Sequence, residues 1–137
     1  MASARVERLR APTLTIAALA AATGALHLRD PHRGGSWGLC PFNALTGLSC
    51  PGCGGLRAVN DLSDGHVGAA LSSNLLVTVG IPVAVVALLI WVVCAWRDAP
   101  FPRLEPRTRQ AVWLAIAAVV VVFSVARNLP AGSWLAP

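Results

Sequence analysis

Residues 75–96 read LLVTVGIPVAVVALLIWVVCAW, an uncharged run dominated by valine, leucine and isoleucine. A helix of about 20 apolar residues crosses the hydrocarbon core of a bilayer. This run therefore predicts a transmembrane helix and sets the class of fold. Pro82 lies in its first part, where it either kinks the helix or falls within irregular first turns.

Two weaker apolar runs flank this span. In residues 11–28 the only polar residues are three threonines and His27, and residues 110–126 carry no charged residue. Both runs reach the roughly 17 to 25 residues that span a bilayer. Three arginines precede the first run, so a cleaved secretory signal peptide is the alternative to the retained helix that we favour.

The expected fold is therefore an all-α membrane protein. We predict a single membrane domain, residues 1–137, with three transmembrane helices at about 11–28, 75–96 and 110–126. The long connection at residues 29–74 is expected to hold short interfacial helices and all but one of the cysteines.

The composition excludes an ordinary soluble domain. Of the 137 residues, 55% are hydrophobic and 12% are charged, whereas soluble domains carry about 25% charged residues. The net charge of +5 comes from eleven basic residues, all arginines, scattered at the ends of apolar runs. Nucleic-acid binding needs a basic patch or stripe. We therefore expect the lipid bilayer and other membrane proteins, or a second copy, as partners, and no nucleic acid.

The arginines also predict an orientation. Three lie in the N-terminal tail and four in the short second loop, while the long first loop spreads three over many residues and the C-terminal tail has one. Basic residues concentrate in cytoplasmic segments. We therefore expect a cytoplasmic N-terminus, with the cysteine loop and the C-terminus extracytoplasmic.

The loop carries the residues capable of chemistry. The stretch Cys50-Pro51-Gly52-Cys53-Gly54 places two thiols three positions apart, and Cys40-Pro41 lies upstream. After Gly55 the apolar residues recur at helical spacing. This spacing predicts one short helix that ends at residues 63–65 and a second over residues 66–73.

A wider pattern surrounds these cysteines. It consists of Cys40-Pro41-Phe42, Thr46-Gly47, Cys50-Pro51-Gly52-Cys53-Gly54, Arg57-Ala58, Gly65, Ala70 and Asn74 before an apolar span. The pattern resembles that of the DUF2752 family, small bacterial membrane proteins of unassigned function. The resemblance covers about residues 40–96. It implies a bacterial inner (plasma) membrane but no reaction.

Three roles are open for the loop thiols. A disulfide from Cys40 to Cys50 or Cys53 would close a short loop and stabilise it by about 2–3 kcal/mol. Such a knuckle could instead hold zinc or iron, but a structural site needs four ligands. Cys50 and Cys53 also have the spacing of a redox pair, whose thiol pKa a helix dipole and Arg57 would lower. The fourth metal ligand would come from a second chain or from a histidine: His27, His32 or His66.

Other polar residues have structural interpretations. Gly54 and Arg57 are expected to support the loop, with Arg57 pairing with Asp61 or a lipid phosphate. Cys94 is expected to be an inert thiol within the second span. Arg127, with Asn128 beside it, is expected to cap the third span.

The favoured function is non-enzymatic. We expect a small integral membrane accessory protein or complex subunit, whose outward loop is stabilised by a disulfide or a metal. Small residues along the first span, among them Ala18 and Ala21, permit close helix approach. The alternative is a redox or metal-binding membrane protein centred on Cys40, Cys50 and Cys53.

Overall fold

A computed structural model describes residues 2–136, with side chains from residue 4 onward. Within that range the chain is helical and forms no β-strand. Three of the helices are long and apolar enough to cross a membrane, so the predicted class of fold is confirmed. The helices are α1 (Ala2–Leu28), α2 (Pro41–Thr46), α3 (Gly55–Ser63), α4 (Val67–Ser73), α5 (Leu75–Arg97) and α6 (Pro106–Ala126).

The long helices extend beyond the apolar runs that predict them. α1 begins at Ala2, so the arginine-bearing tail is also helical. α6 begins at Pro106, because the fixed φ of proline suits the first turn of a helix, where an N–H would have no partner. α5 continues through Pro82 without a break in the helix.

The connection between α1 and α5 is largely helical. α3 and α4 lie where the apolar spacing predicts them. α2 was not predicted. Pro41 begins it, and Gly47, with a φ of 70°, ends it in the left-handed conformation that glycine adopts readily.

α1 and α5 form an antiparallel pair. Arg8 Nη1 lies 3.2 Å from Asp98 Oδ1, and Arg8 Nε donates to the carbonyl of Ala95 at 3.3 Å. The Arg5 guanidinium lies 5.0 Å from the centroid of the Trp96 ring. These contacts join the first turns of α1 to the end of α5, while α3 packs against both helices near their other ends.

α6 stands apart from this pair. Every residue from 106 to 119 is exposed. Its packing is concentrated at its last turn, where Phe123 is buried, and at the 3₁₀ helix that follows, Pro130–Leu135. α6 is therefore held mainly at the end that meets the cysteine loop.

Burial is centred on that same end of the molecule. Among the described residues, four hydrophobic side chains and the ring of Pro12 are buried, beside five polar side chains. Long helices with exposed apolar surface and satisfied backbones suit a lipid environment. The buried apolar residues are Leu26, Ala58, Ala70 and Phe123, and the buried polar ones are Asn60, Asp61, Asn74, Thr78 and Arg127.

Candidate metal centre

Three thiols meet in the loop between α1 and α5. The Sγ atoms of Cys40 and Cys50 are 3.4 Å apart, and those of Cys50 and Cys53 are 3.0 Å apart. All three sulfurs lie within 4.8 Å of one another. A disulfide bond measures about 2.05 Å, so the three cysteines are free thiols. Two thiolates on one tetrahedral zinc, each about 2.3 Å from it, would be about 3.8 Å apart.

The backbone of the cysteine turn follows from its proline and glycines. The Cys53 N–H donates to the Cys50 carbonyl at 3.1 Å, and the Gly55 N–H donates to the Gly52 carbonyl at 2.9 Å. Gly54 precedes α3 with a φ of 78°. A side chain at that position would strain the backbone, so the glycine lets the turn pass directly into α3.

Asn74 holds this turn from the start of α5. Its side chain is completely buried. The Nδ2 atom donates to the carbonyls of Pro51 and Cys53, both at 2.9 Å. The Oδ1 atom accepts from the Val77 N–H at 2.9 Å, which caps α5. The Asn74 side chain therefore caps the candidate membrane span α5 and also holds the backbone of the turn that carries Cys50 and Cys53.

Arg127 holds the turn from the end of α6. It is only 2% exposed. Its Nη1 donates to the Cys50 carbonyl at 2.6 Å, and its Nη2 donates to the Cys53 carbonyl at 3.2 Å. The guanidinium lies 5.0 Å from the centroid of the Phe123 ring. A cation beside Cys50 and Cys53 offsets the charge that these two residues acquire as thiolates.

Asn128 continues the connection between α6 and the loop. Its Oδ1 accepts from the Ser49 N–H at 2.8 Å, and its Nδ2 donates to the Ser49 carbonyl at 2.9 Å. The sequence interpretation limited Arg127 and Asn128 to capping a span. A usable signal was present, since a charged residue beside an apolar helix is rarely left unpaired.

The three thiols differ in acidity. The nearby backbone amide of Asn43, followed by the Cys50 thiol, lowers the pKa of Cys40. Burial, followed by the neighbouring Cys50 thiol, raises the pKa of Cys53 to about 12. The lowered pKa is thus at Cys40 and comes from the backbone of α2, rather than from Arg57 as the sequence suggested. Metal binding requires thiolates and would displace the proton that Cys53 retains.

The cluster opens into a cleft of about 500 Å³. Cys40 and Cys53 line it, together with the segment from Pro31 to Leu39. Arg57 also lines the cleft and is half-buried. Within the part of the chain that the structure describes, Arg57 forms no ion pair. The expected partner, Asp61, instead lies 3.0 Å from His32 Nε2 and accepts from Ser73 Oγ at 2.8 Å.

No histidine joins the thiols among residues 2–136. His27 contacts Asn60 at 3.4 Å and Ser63 at 3.1 Å through its two ring nitrogens. His32 lines the cleft, but its Nε2 faces Asp61. His66 is exposed and precedes α4. Cys94 belongs to the last turn of α5, outside the thiol cluster. The fourth coordination position of a metal on the three thiols therefore has no ligand from these residues.

Fold and site together define the class: a small membrane protein with three candidate spans and a cluster of three thiols in the loop after the first. Residues 40–91 match the family described as "Protein of unknown function (DUF2752)", which confirms the resemblance carried by the cysteine motif. The match covers residues 40–91, less than half of the chain. Arg127 and Asn128 lie outside the matched residues.

Neither the curated proteins nor the solved structures include a significant match to this chain.

Proposed function

We propose that this protein is a small membrane accessory protein whose loop is organised by a metal bound to Cys40, Cys50 and Cys53. The observation that carries the proposal is the spacing of the three sulfurs, which all lie within 4.8 Å of one another. The separations of 3.4 Å and 3.0 Å are somewhat shorter than the roughly 3.8 Å expected for two thiolates on one zinc ion, so a bound metal would move these sulfurs slightly apart.

The surroundings of the thiols support this proposal. The backbone of the turn is held by buried donors from two separate helices, Asn74 at the start of α5 and Arg127 after α6. Such outer contacts fix the orientation of metal ligands. Thiolate ligands favour zinc, copper(I) and iron–sulfur centres over hard cations. Zinc is our first choice and iron the second.

A bound metal would contribute to folding. The loop offers few buried apolar side chains of its own, chiefly Ala58 and Ala70. Metal affinity then adds directly to the stability of the folded loop. The surface of the organised loop and the exposed helices are then available to other membrane proteins, as the proposed accessory role requires.

Metal analysis of the purified protein tests the proposal. We expect bound zinc or iron in a one-to-one ratio with the chain. Replacing Cys40, Cys50 or Cys53 by serine should remove most of the metal, and double replacements should be scarcely worse than single ones, because the thiols act as one unit. Cys94→Ser is the matched control and should retain it. A metal-free protein, or additive losses, would contradict the proposal.

Thiol–disulfide exchange is the second candidate. It is favoured by the 3.0 Å separation of the Cys50 and Cys53 sulfurs and by the lowered pKa of Cys40. A disulfide between two of the thiols would leave the third as an attacking thiolate. Counting free thiols after equilibration in redox buffers separates the candidates. A metal-free protein whose count changes reversibly by two supports exchange, and a permanently oxidised pair supports a structural disulfide.

A further inference from the structure

The thiol cluster faces a cleft large enough for a small molecule. Its volume is about 500 Å³, and two of the three cysteines, Cys40 and Cys53, line it. Sites with three protein ligands and one open position exchange their fourth ligand, in contrast to closed structural sites. A metal at this cluster would present its open position to the contents of the cleft.

The charges around the cleft are positive. Arg57 is half-buried at its wall and, within residues 2–136, forms no ion pair. Arg33 also lines it, but lies 3.8 Å from Asp30 and has a side chain that is 84% exposed. No aspartate or glutamate is among the lining residues. A half-buried guanidinium that has no acidic partner favours a ligand that carries a negatively charged group.

We infer that the cleft binds a small anionic thiol, whose sulfur completes the coordination of the metal and whose carboxylate pairs with Arg57. The inference rests on the proposed metal site and specifies its ligand. A soft three-thiolate centre favours a fourth soft donor. In the binding step the thiol proton is released to solvent, a metal–sulfur bond forms, and a bound water leaves. No electron is transferred.

Arg57 is the specificity residue in this arrangement. Arg57 lies in the first turn of α3, two residues after Gly55. It is not a metal ligand, so its replacement leaves the three cysteines in place. The negative charge of four thiolates on a divalent metal is offset in part by Arg127, which contacts the Cys50 and Cys53 carbonyls. This leaves Arg57 available for the carboxylate of the ligand.

Cobalt(II) substitution makes the site visible, because its absorption depends on the number of thiolate ligands. The full-length protein in detergent is loaded with cobalt and titrated with mercaptopropionate, which is anionic, and with mercaptoethanol, which is neutral. We expect both to change the cobalt spectrum saturably. The anionic thiol should bind about tenfold more tightly, as one charge-assisted hydrogen bond provides.

Two variants test the role of the arginine. Arg57→Gln should remove the preference for the anionic thiol while the starting cobalt spectrum stays unchanged. Arg103→Gln, which replaces an exposed arginine in the loop between α5 and α6, should leave the preference intact. An unchanged preference in Arg57→Gln would overturn the inference.

The remaining outcomes separate this inference from the proposed function. Cobalt that binds but responds to neither thiol would mean a closed site, which overturns the inference and leaves the metal proposal standing. Equal affinity for the two thiols would also overturn it. A protein that binds no cobalt would refute the metal proposal and this inference together.

Discussion

At the residue scale, three side chains from outside the cysteine turn hold its backbone: Asn74, Arg127 and Asn128. They donate to the carbonyls of Ser49, Cys50, Pro51 and Cys53, of which the Cys50 carbonyl also accepts from the Cys53 N–H within the turn. Buried carbonyls without partners destabilise a fold by about 1–3 kcal/mol each. The thiols therefore depend on two helix ends that are far from them in the sequence.

The first prediction concerns Arg127. Arg127→Met keeps much of the apolar stem but removes the donors to the Cys50 and Cys53 carbonyls. We expect the free energy of unfolding to fall by about 3 kcal/mol, since hydrogen bonds from charged groups contribute about 1.5–3 kcal/mol each. Thermal unfolding in detergent measures it. Arg97→Met, at the exposed end of α5, is the matched control. Equal stability of the two variants would refute the prediction.

The second prediction concerns the order in which the thiols react. In the reduced, metal-free protein the pKa of Cys40 is lowered and that of Cys53 is raised to about 12. Only the thiolate reacts with iodoacetamide. As pH rises, Cys40 should therefore be alkylated at lower pH than Cys53. Peptide mass spectrometry after short labelling pulses measures this order, and simultaneous labelling of the two would contradict it.

At the element scale, α6 is attached to the rest of the molecule at one end. Its last turn leads through Arg127 and Asn128 into the 3₁₀ helix Pro130–Leu135, which contacts both α6 and α4. Gly132 is buried where this 3₁₀ helix meets the end of α6. The close approach of two backbones there requires a residue without a side chain.

The third prediction follows from that contact. In Gly132→Ala the added Cβ would overlap the Ala126 carbonyl oxygen. The 3₁₀ helix must then move, and overpacking of this kind destabilises by about 1–3 kcal/mol. Gly68→Ala in α4 is the matched control, because its Cβ would meet nothing within 4 Å. Thermal unfolding compares the two. A Gly132→Ala protein as stable as the control would show that the end of α6 is not closely packed.

At the scale of the whole molecule, the helix directions determine which chain ends and loops lie at the same end of the structure. The antiparallel α1 and α5 place the N-terminus and the loop after α5 at the same end. The contacts of Arg127 and Asn128 place the C-terminus beside the cysteine loop. Which of these ends is cytoplasmic follows only from the arginine distribution.

The fourth prediction is the orientation. A reporter fused after Pro137 should be active outside the cytoplasm, and one inserted near Pro102 should be active inside. The arginine-rich tail and second loop favour the cytoplasm because translocating them is unfavourable. Opposite signals would place the thiols in a reducing compartment. Identical signals at the two sites would contradict three spans.

The fifth prediction is association. The buried apolar core is small, and Ala18 and Ala21 are exposed on α1. Replacing both by leucine should block close approach of another helix and weaken any assembly, while insertion persists because leucine is more apolar. Crosslinking and size-exclusion chromatography in mild detergent measure the change. Leucines at Ala115 and Ala118, with the same spacing on α6, provide the control. A monomer in every case would refute association.

The sequence alone determined the class of fold, the three spans, α3 and α4, and the cysteine motif. These features are local. Hydropathy accumulates over consecutive residues, and helical spacing is set by near neighbours. The turn from Cys50 to Gly54 likewise depends on five consecutive residues, so it can be predicted from the local sequence.

Only the tertiary structure decided which residues surround the thiols. Arg127 contacts the Cys50 carbonyl across 77 positions, and Asn128 contacts Ser49 across 79. In the structure Asp61 pairs with His32 and Ser73 rather than with Arg57. Such pairings depend on how helix ends meet in space, and hydrophobic periodicity carries no information about that. The spacing of the cysteines in the sequence identified the candidate metal ligands. Their positions in space depend on the packing of α5 and α6 against the loop.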